Sequence, residues 1–214
     1  MPTYPPDPSK LQIGLKKLDL VKKSCGASLC LTEKALDSMR KALSLTHRWP
    51  AGLVWKSTDR DLKVNKGDND APLDAESVAF LQYTSGSTSE PKGVMIARAN
   101  LAHNLRGITE ALRSDERTVC VSWLPQYHDM GLIGAYLGAL WCGGSGYYMS
   151  PVSFVRDPVL WVRTISRRRA THVQAPNFAY GLTARKFLAL RPAERPALDL
   201  GCVRHLSLIH ISEP

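Results

Sequence analysis

The chain has 214 residues, of which 44% are hydrophobic and 22% are charged, as expected for one globular domain or part of one and not for a disordered or fibrous chain. Lys and Arg outnumber Asp and Glu by 28 to 19, and the net charge of +9 favours polyanionic partners such as nucleotides, coenzyme A or nucleic acid. Nucleic-acid-binding proteins usually concentrate their basic residues, whereas here only Arg167, Arg168 and Arg169 are clustered. We therefore predict no nucleic-acid partner, and keep a small basic nucleic-acid-binding protein as an alternative hypothesis.

The cysteines and the hydropathy pattern restrict the class further. No two of the five cysteines form a C-x-x-C pair, and none has the histidine spacing of a zinc site, so we expect reduced core residues. No stretch reaches the roughly 20 apolar residues that cross a bilayer, and the N-terminus has no basic segment followed by an apolar one. We predict no transmembrane segment and a cytoplasmic location, with organelle targeting left open because the native N-terminus can lie outside the sequence.

Short β-type runs alternate with segments of helical period, a pattern typical of an α/β domain with a mostly parallel sheet flanked by helices. A Pro-rich start over 1–8 leads into a helix, and most of the predicted strands are continuously apolar, as buried parallel strands are. The six predicted strands cover residues 27–31, 52–55, 78–82, 118–123, 146–149 and 171–174.

Three helices and one exposed connection follow from local patterns. Apolar residues recur at three- and four-residue steps over 98–113, which predicts a helix with one apolar face. Asp157 supplies a capping oxygen and Pro158 a helical φ, so a helix is predicted from there to Arg168. Another is predicted over 177–190, and the polar stretch 56–74 is predicted to be exposed.

A loop rich in hydroxyl groups lies between the strand that ends at Gln82 and an apolar run over 94–96. Gly86 lies among four hydroxyl side chains, and Lys92 adds a positive charge. Hydroxyl and backbone N–H donors can converge on an anion there, because glycine adds no Cβ to the turn. The hydroxyl residues are Thr84, Ser85, Ser87 and Thr88.

This loop has two other interpretations. It is not a Walker A loop, because Lys92 is followed by Gly93 and Val94 rather than by Ser or Thr. A flexible Ser/Gly linker is the alternative. The strands on both sides, and the position of the loop at the end of a strand, favour phosphate binding.

A second polar segment precedes an apolar helix predicted over 130–141. An imidazole at His128 can donate a hydrogen bond to a carboxylate or phosphate oxygen. A buried polar pair of His128 and Asp129 costs free energy unless it is used, so we predict a binding role rather than a satisfied core histidine. The start of the helix is compatible with an alkyl-chain channel or with ordinary packing on the sheet. The residues concerned are Met130, Gly131 and Gly134.

Residues 83–93 resemble the phosphate-loop signature of the adenylate-forming, or AMP-binding, superfamily. The flanking Leu81, Gln82, Val94 and Met95 make the segment most similar to fatty acyl-AMP ligases, which share their architecture with long-chain acyl-CoA synthetases. Further resemblance, in the family's order, lies at residues 4–8, 123–132, 150–161 and 175–180. The resemblance implies that 1–206 is part of the large N-terminal adenylation domain.

The resemblance implies an activity as well: ATP-dependent activation of a fatty acid to acyl-AMP with release of pyrophosphate, for transfer to a carrier-protein thiol or to CoA. The alternative is a non-catalytic module of the same fold that binds lipid or protein partners. The implied catalytic residues are His128 and Lys92, and Thr88 is the implied Mg²⁺ ligand. The implied ATP-binding residues are Thr84, Ser85, Gly86, Ser87, Thr88, Lys92 and Gly93. The implied substrate-binding residues are His128, Asp129, Met130, Gly131, Asn177 and Phe178.

The sequence departs from the family pattern in several places. Ser89 replaces a usual Gly, and Ala97 and Arg98 stand where Ser-His is common. The adenine and ribose motifs, an acidic magnesium ligand and the C-terminal lid domain with its catalytic lysine are expected beyond position 206 and are absent from the sequence. We expect the chain alone to be inactive. Residues 207–214 resemble translated sequencing-adapter text and are predicted not to be native.

Overall fold

The computed structural model describes residue 3 and residues 10–60, 74–84 and 92–209. The chain divides into two compact units, Met1–Ala99 and Asn100–Pro214, and each is described by itself. Among the helices of the described residues, none combines the length and the apolarity that crossing a membrane requires.

The first unit contains two small sheets. Strands β1 and β2 pair in parallel, with Leu29 opposite Val54, whereas β3 and β4 pair in antiparallel fashion. The described elements of this unit are α1 (Leu11–Cys25), β1 (Leu29–Thr32), α2 (Lys34–Leu43), β2 (Val54–Ser57), β3 (Val78–Thr84) and β4 (Lys92–Ala97).

The second unit is built on four parallel strands in the order β6-β5-β7-β8. Its α3 begins at the boundary between the units. The described elements are α3 (Arg98–Ala111), β5 (Val119–Ser122), a π-helix (Met130–Leu137), α4 (Gly138–Trp141), β6 (Ser145–Tyr148), α5 (Pro151–Arg156), α6 (Pro158–Arg168), β7 (His172–Pro176), α7 (Asn177–Ala189), a 3₁₀ turn (Pro192–Glu194) and β8 (His205–Ile209).

The helices predicted from local signals are confirmed. Helix α6 begins at Pro158, where Asp157 Oδ1 accepts hydrogen bonds from the backbone N–H groups of Val159 at 3.1 Å and Leu160 at 3.2 Å. The helix ends at Arg169 in the left-handed conformation, with φ of 52°. Helices α3 and α7 match the predicted ranges to within two residues.

The six predicted strands are present, but the expectation that most are buried is wrong. Strands β5 and β7 are buried over most of their length, whereas β1, β2 and β6 have many exposed residues. The difference arises because β5 and β7 lie inside the four-stranded sheet, whereas β6 is an edge strand and β1 and β2 form a sheet of only two. Of the five free cysteines, likewise, only Cys120 is fully buried.

Two further expectations need correction. Lys56 and Ser57 belong to β2, and the Ser57 side chain is fully buried, so the predicted exposed connection starts later; residues 61–73 lie outside the described ones. The six strands predicted from the sequence do not include β8, which pairs along its whole length with β7. Its alternating Leu206, Ser207 and Leu208 fit a strand period. The origin of 207–214 stays a prediction.

Aromatic side chains form the centre of the second unit. Trp123 stacks on Phe154, with ring centroids 4.1 Å apart and planes at 5°, and Trp161 packs edge-on against Phe154 at 5.6 Å. Phe154 and Trp161 are buried. Trp123 directly follows β5 in the chain, so the packing of its ring fixes the backbone where that strand ends.

Candidate functional site

The carboxyl ends of β6, β5 and β7 meet at one edge of the parallel sheet, where ligands bind in open α/β sheets. The segment after β5 carries His128 to Gly131, and the first residues of α7 after β7 are Asn177 and Phe178. The fold therefore brings the six residues implied as substrate-binding to the same edge of this unit.

His128 and Asp129 form a contact on the surface of the unit. The Nδ1 atom of His128 lies 2.5 Å from Oδ1 of Asp129, and their side chains are 66% and 64% exposed. The same carboxylate oxygen accepts a hydrogen bond of 2.7 Å from the backbone N–H of Met130. The pair is therefore exposed and not buried as predicted, and it carries no burial cost because it keeps its hydration. A binding role for His128 is supported by its position at the sheet edge and by the solvent exposure of its imidazole.

The predicted apolar helix after Asp129 is present, but its first eight residues are a π-helix. Single π-helical turns occur frequently at functional sites. A Cβ on Gly131 would lie 2.2 Å from the carbonyl oxygen of Pro125, and one on Gly134 would lie 2.9 Å from Oε1 of Gln174. Gly131 is therefore required for close packing, because it faces backbone atoms, whereas the Gln174 side chain near Gly134 can move. The contact at Gly131 favours the packing interpretation over the alkyl channel.

Two side chains from β6 and β7, the strands on either side of β5, donate to successive carbonyl groups of the π-helix. Gln174 Nε2 of β7 lies 3.5 Å from the oxygen of Gly134, and the hydroxyl of Tyr148 in β6 donates to that of Ala135 at 3.3 Å. Burial raises the pKa of Tyr148 to about 12, with Cys120 adding to the shift, so the hydroxyl stays a donor. Sequence reasoning missed both residues, because strand periodicity does not show which distant helix a side chain meets.

Phe178 completes an aromatic surface at this edge. Its ring is 59% exposed and lies 6.1 Å from that of Trp123 in an edge-on arrangement. Asn177 beside it is also exposed. An exposed ring supported by a buried one can hold an apolar ligand with little loss of conformational entropy.

The ends of the hydroxyl-rich loop lie in the first unit. Strands β3 and β4 are antiparallel, with Thr84 opposite Lys92 and Tyr83 opposite Gly93, so the strands predicted on both sides of the loop are confirmed. Lys92 is exposed. The loop residues Ser85, Gly86, Ser87 and Thr88 lie outside the described residues.

Comparison with known proteins adds the family. The family model of AMP-binding enzymes matches residues 8–210. This chain belongs to the AMP-binding enzyme family. The match includes the strand β8 that the sequence prediction left out and extends beyond the resemblance expected up to 206.

The family members most similar in sequence include fatty-acid ligases. The chain is 35% identical over 213 residues to the medium-chain-fatty-acid acyl-carrier-protein ligase JamA of Moorena producens (strain JHB), covering 97% of this chain and 35% of JamA. It is 36% identical over 205 residues to the long-chain-fatty-acid AMP ligase FadD32 of Mycolicibacterium smegmatis (strain ATCC 700084 / mc(2)155), covering 92% of this chain and 32% of FadD32. The chain thus spans about a third of the length of these relatives.

A solved family structure shares the fold. The crystal structure of fatty acyl-adenylate ligase from L. pneumophila, in complex with acyl adenylate and pyrophosphate, matches with a TM-score of 0.78 and 30% identity, covering 97% of this chain and 35% of that one. The predicted α/β class with a largely parallel sheet is confirmed.

Proposed function

We propose that this chain is part of the N-terminal adenylation domain of a longer ligase that activates a fatty acid with ATP to acyl-AMP and pyrophosphate. The observation that carries the proposal is the antiparallel β3–β4 pair, which places Lys92 directly at the end of the hydroxyl-rich loop, in a chain whose relatives include fatty-acid ligases. The proposed domain is residues 1–206, with the mobile C-terminal domain outside this sequence.

In the proposed reaction, a carboxylate oxygen of the fatty acid attacks the α-phosphorus of ATP. An O–P bond forms, the bond from the α-phosphorus to the bridging oxygen breaks, and pyrophosphate leaves with that electron pair. The ammonium group of Lys92 would neutralise charge on the leaving phosphates, the main task of protein groups in such transfers. Thr84 at the end of β3 and the loop residues Ser85, Gly86, Ser87 and Thr88 would bind the rest of the triphosphate.

The sheet edge of the second unit would bind the fatty acid. The exposed imidazole of His128 would donate a hydrogen bond to the attacking carboxylate or to an α-phosphate oxygen, with Asp129 orienting the ring. Phe178 and Met130 would contact the alkyl chain, and Asn177 and Gly131 would shape the polar end. A thiol of a carrier protein or of CoA would then attack the acyl carbon and release AMP.

Magnesium is proposed on the resemblance alone, with the Thr88 hydroxyl as a ligand. Thr88 lies outside the described residues, and the described part of the chain contains no group of three or more His, Cys, Asp or Glu side chains that could hold a metal. No step is derived through the ion.

The test is fatty-acid-dependent exchange of labelled pyrophosphate into ATP by the full-length protein that carries this chain. We expect exchange in the wild type and a loss of roughly a hundredfold or more in the Lys92→Ala, Thr84→Ala double variant, since removing one positioned charge commonly has an effect of that size. Lys16→Ala, which removes an exposed lysine of α1, is the matched control and should exchange normally. No exchange with fatty acids of any length would favour the non-catalytic lipid- or protein-binding module.

A further inference from the structure

Tyr83 and Gly93 face each other on β3 and β4, the strands that precede and follow the hydroxyl-rich loop. They are register partners in the β3–β4 pair, one rung away from Thr84 and Lys92. A Cβ on Gly93 would lie 2.7 Å from Cζ of Tyr83 and 3.0 Å from both its Cε2 and its hydroxyl oxygen. The outer part of the tyrosine ring therefore lies directly over the glycine, in the space that any other side chain would fill.

The backbone at position 93 gives no other reason for a glycine. The glycines with positive φ are Gly26, Gly52 and Gly143 in the part of the chain that the structure describes, so Gly93 has an angle that other residues adopt freely. An aromatic ring packed across a glycine of the neighbouring strand is a known way to fix the register of a strand pair. The small size of Gly93 is thus explained by the Tyr83 ring.

We propose that Tyr83 and Gly93 are a positioning pair that holds Lys92 at the phosphate-binding end of β4. On this view Gly93 acts through the tyrosine ring and not by touching the nucleotide. The inference rests on the proposed function, because it assigns the pair to the same triphosphate site. It differs from the family-based expectation, which places Gly93 among the residues that contact ATP.

The physical reason is preorganisation. Lys92 is exposed and follows a loop, so its ammonium can bind a phosphate tightly only if the start of β4 has one position relative to β3. The adjacent Tyr83–Gly93 pair supplies that constraint when the tyrosine ring packs on Gly93. Displacing the ring would leave Lys92 able to bind ATP, but more weakly, because ordering the lysine would then cost part of the binding free energy.

A double-mutant cycle separates the two roles of Gly93. Four full-length proteins are compared, namely wild type, Gly93→Ala, Tyr83→Ser and the double variant. The measured quantities are KM for ATP and KM for the fatty acid in acyl-AMP formation, and Kd for ATP by equilibrium dialysis without fatty acid. Thermal unfolding checks that each variant is folded, and Gly107→Ala, where a Cβ would meet nothing within 4 Å, is the control glycine substitution.

We expect Gly93→Ala and Tyr83→Ser each to raise KM and Kd for ATP by about tenfold, with KM for the fatty acid unchanged within about twofold. The double variant should bind ATP no more weakly than Tyr83→Ser alone, because removal of the ring removes the three atoms nearest to the added methyl group. Tyr83→Phe, which keeps the ring, should restore wild-type values, and Gly107→Ala should match wild type.

Other outcomes overturn the inference. If Gly93→Ala weakens ATP binding by the same factor with and without the Tyr83 ring, Gly93 acts by approaching the nucleotide itself. If both KM values rise together, the pair only stabilises the fold. If the wild-type protein binds ATP but forms no acyl-AMP, the proposed function is wrong, and the Kd values from equilibrium dialysis still test the pair. If the wild-type protein does not bind ATP, both the proposed function and the inference are wrong.

Discussion

The buried His172 has a polar environment suited to its neutral form. Its Nε2 lies 3.0 Å from the carbonyl oxygen of Leu112 and its Nδ1 lies 2.8 Å from the Thr171 hydroxyl. Its ring packs against that of His205 in a tilted arrangement, with centroids 4.7 Å apart. Burial lowers the pKa of His172, opposed by the hydrogen bond to Leu112; the charges of His205 and Arg204 lower it further, and that of Asp115 raises it. In the folded protein this imidazole therefore takes up a proton less readily than in the unfolded chain.

The free energy of unfolding should consequently fall as the pH is lowered through about 6.5, the ordinary histidine pKa. The unfolded chain binds the proton first, so stability rises with pH between the lowered pKa and 6.5. One such group contributes a slope of at most about 1.4 kcal/mol per pH unit. Urea unfolding of the chain between pH 5 and 8 measures it. His172→Gln should reduce the dependence of the free energy of unfolding on pH, whereas the control His103→Gln, at an exposed position, should leave it unchanged. Equal slopes in the wild type and both variants would show that His172 does not cause the dependence.

At the scale of elements, the π-helix depends on its contact with the segment that follows β5. A Cβ on Gly131 would meet the Pro125 carbonyl oxygen at 2.2 Å and its carbon at 2.7 Å. These are backbone atoms, which cannot rotate away as a side-chain end can. The π-helix must therefore move if residue 131 gains a side chain, and His128, which lies between the two contact points in the sequence, would move with it.

We expect Gly131→Ala to lower the free energy of unfolding by about 1 to 3 kcal/mol, the usual effect of overpacking. In the full-length protein it should also raise KM for the fatty acid. The matched control is Gly181→Ala in α7, where a Cβ would have nothing within 4 Å. That change should stabilise by about 0.5 to 1 kcal/mol, because alanine favours a helix interior. Thermal unfolding of both variants decides, and equal stability would show that the π-helix adapts.

At the scale of the whole molecule, the second unit has an open apolar surface. Helices α6 and α7 and the segment from Leu198 to Leu206 line a cavity of about 630 Å³. Leu188 is 63% exposed beside it, and Leu206 is largely exposed as well. Exposed apolar patches of this kind promote association.

We expect the 214-residue chain to self-associate as its concentration rises, with a sedimentation coefficient that increases accordingly. The double variant Leu188→Lys, Leu206→Lys should reduce this, because two charges interrupt the apolar surface. Leu45→Lys is the control, since Leu45 is 92% exposed, belongs to the first unit and does not line the cavity. If the control reduces association as much as the double variant, general charge repulsion and not this surface is responsible.

The sequence by itself determined many of the elements. Helices α3, α6 and α7, the capping role of Asp157 and the strands around the hydroxyl-rich loop depend on interactions within a few residues, so periodicity and capping residues are enough to predict them. Strand β8 has alternating apolar residues too. It is not among the predicted strands because residues 207–209 fall in the tail predicted not to be native.

Only the tertiary structure decided which side chains meet. The exposure of His128, the seat of the Tyr83 ring on Gly93 and the stacking of Trp123 on Phe154 all depend on partners that local patterns do not identify. The π-helix has the same origin, since a π-helical turn is stabilised by neighbours rather than by local propensity. Local sequence sets which elements form, whereas the geometry of the site arises from packing between elements, which no short pattern encodes.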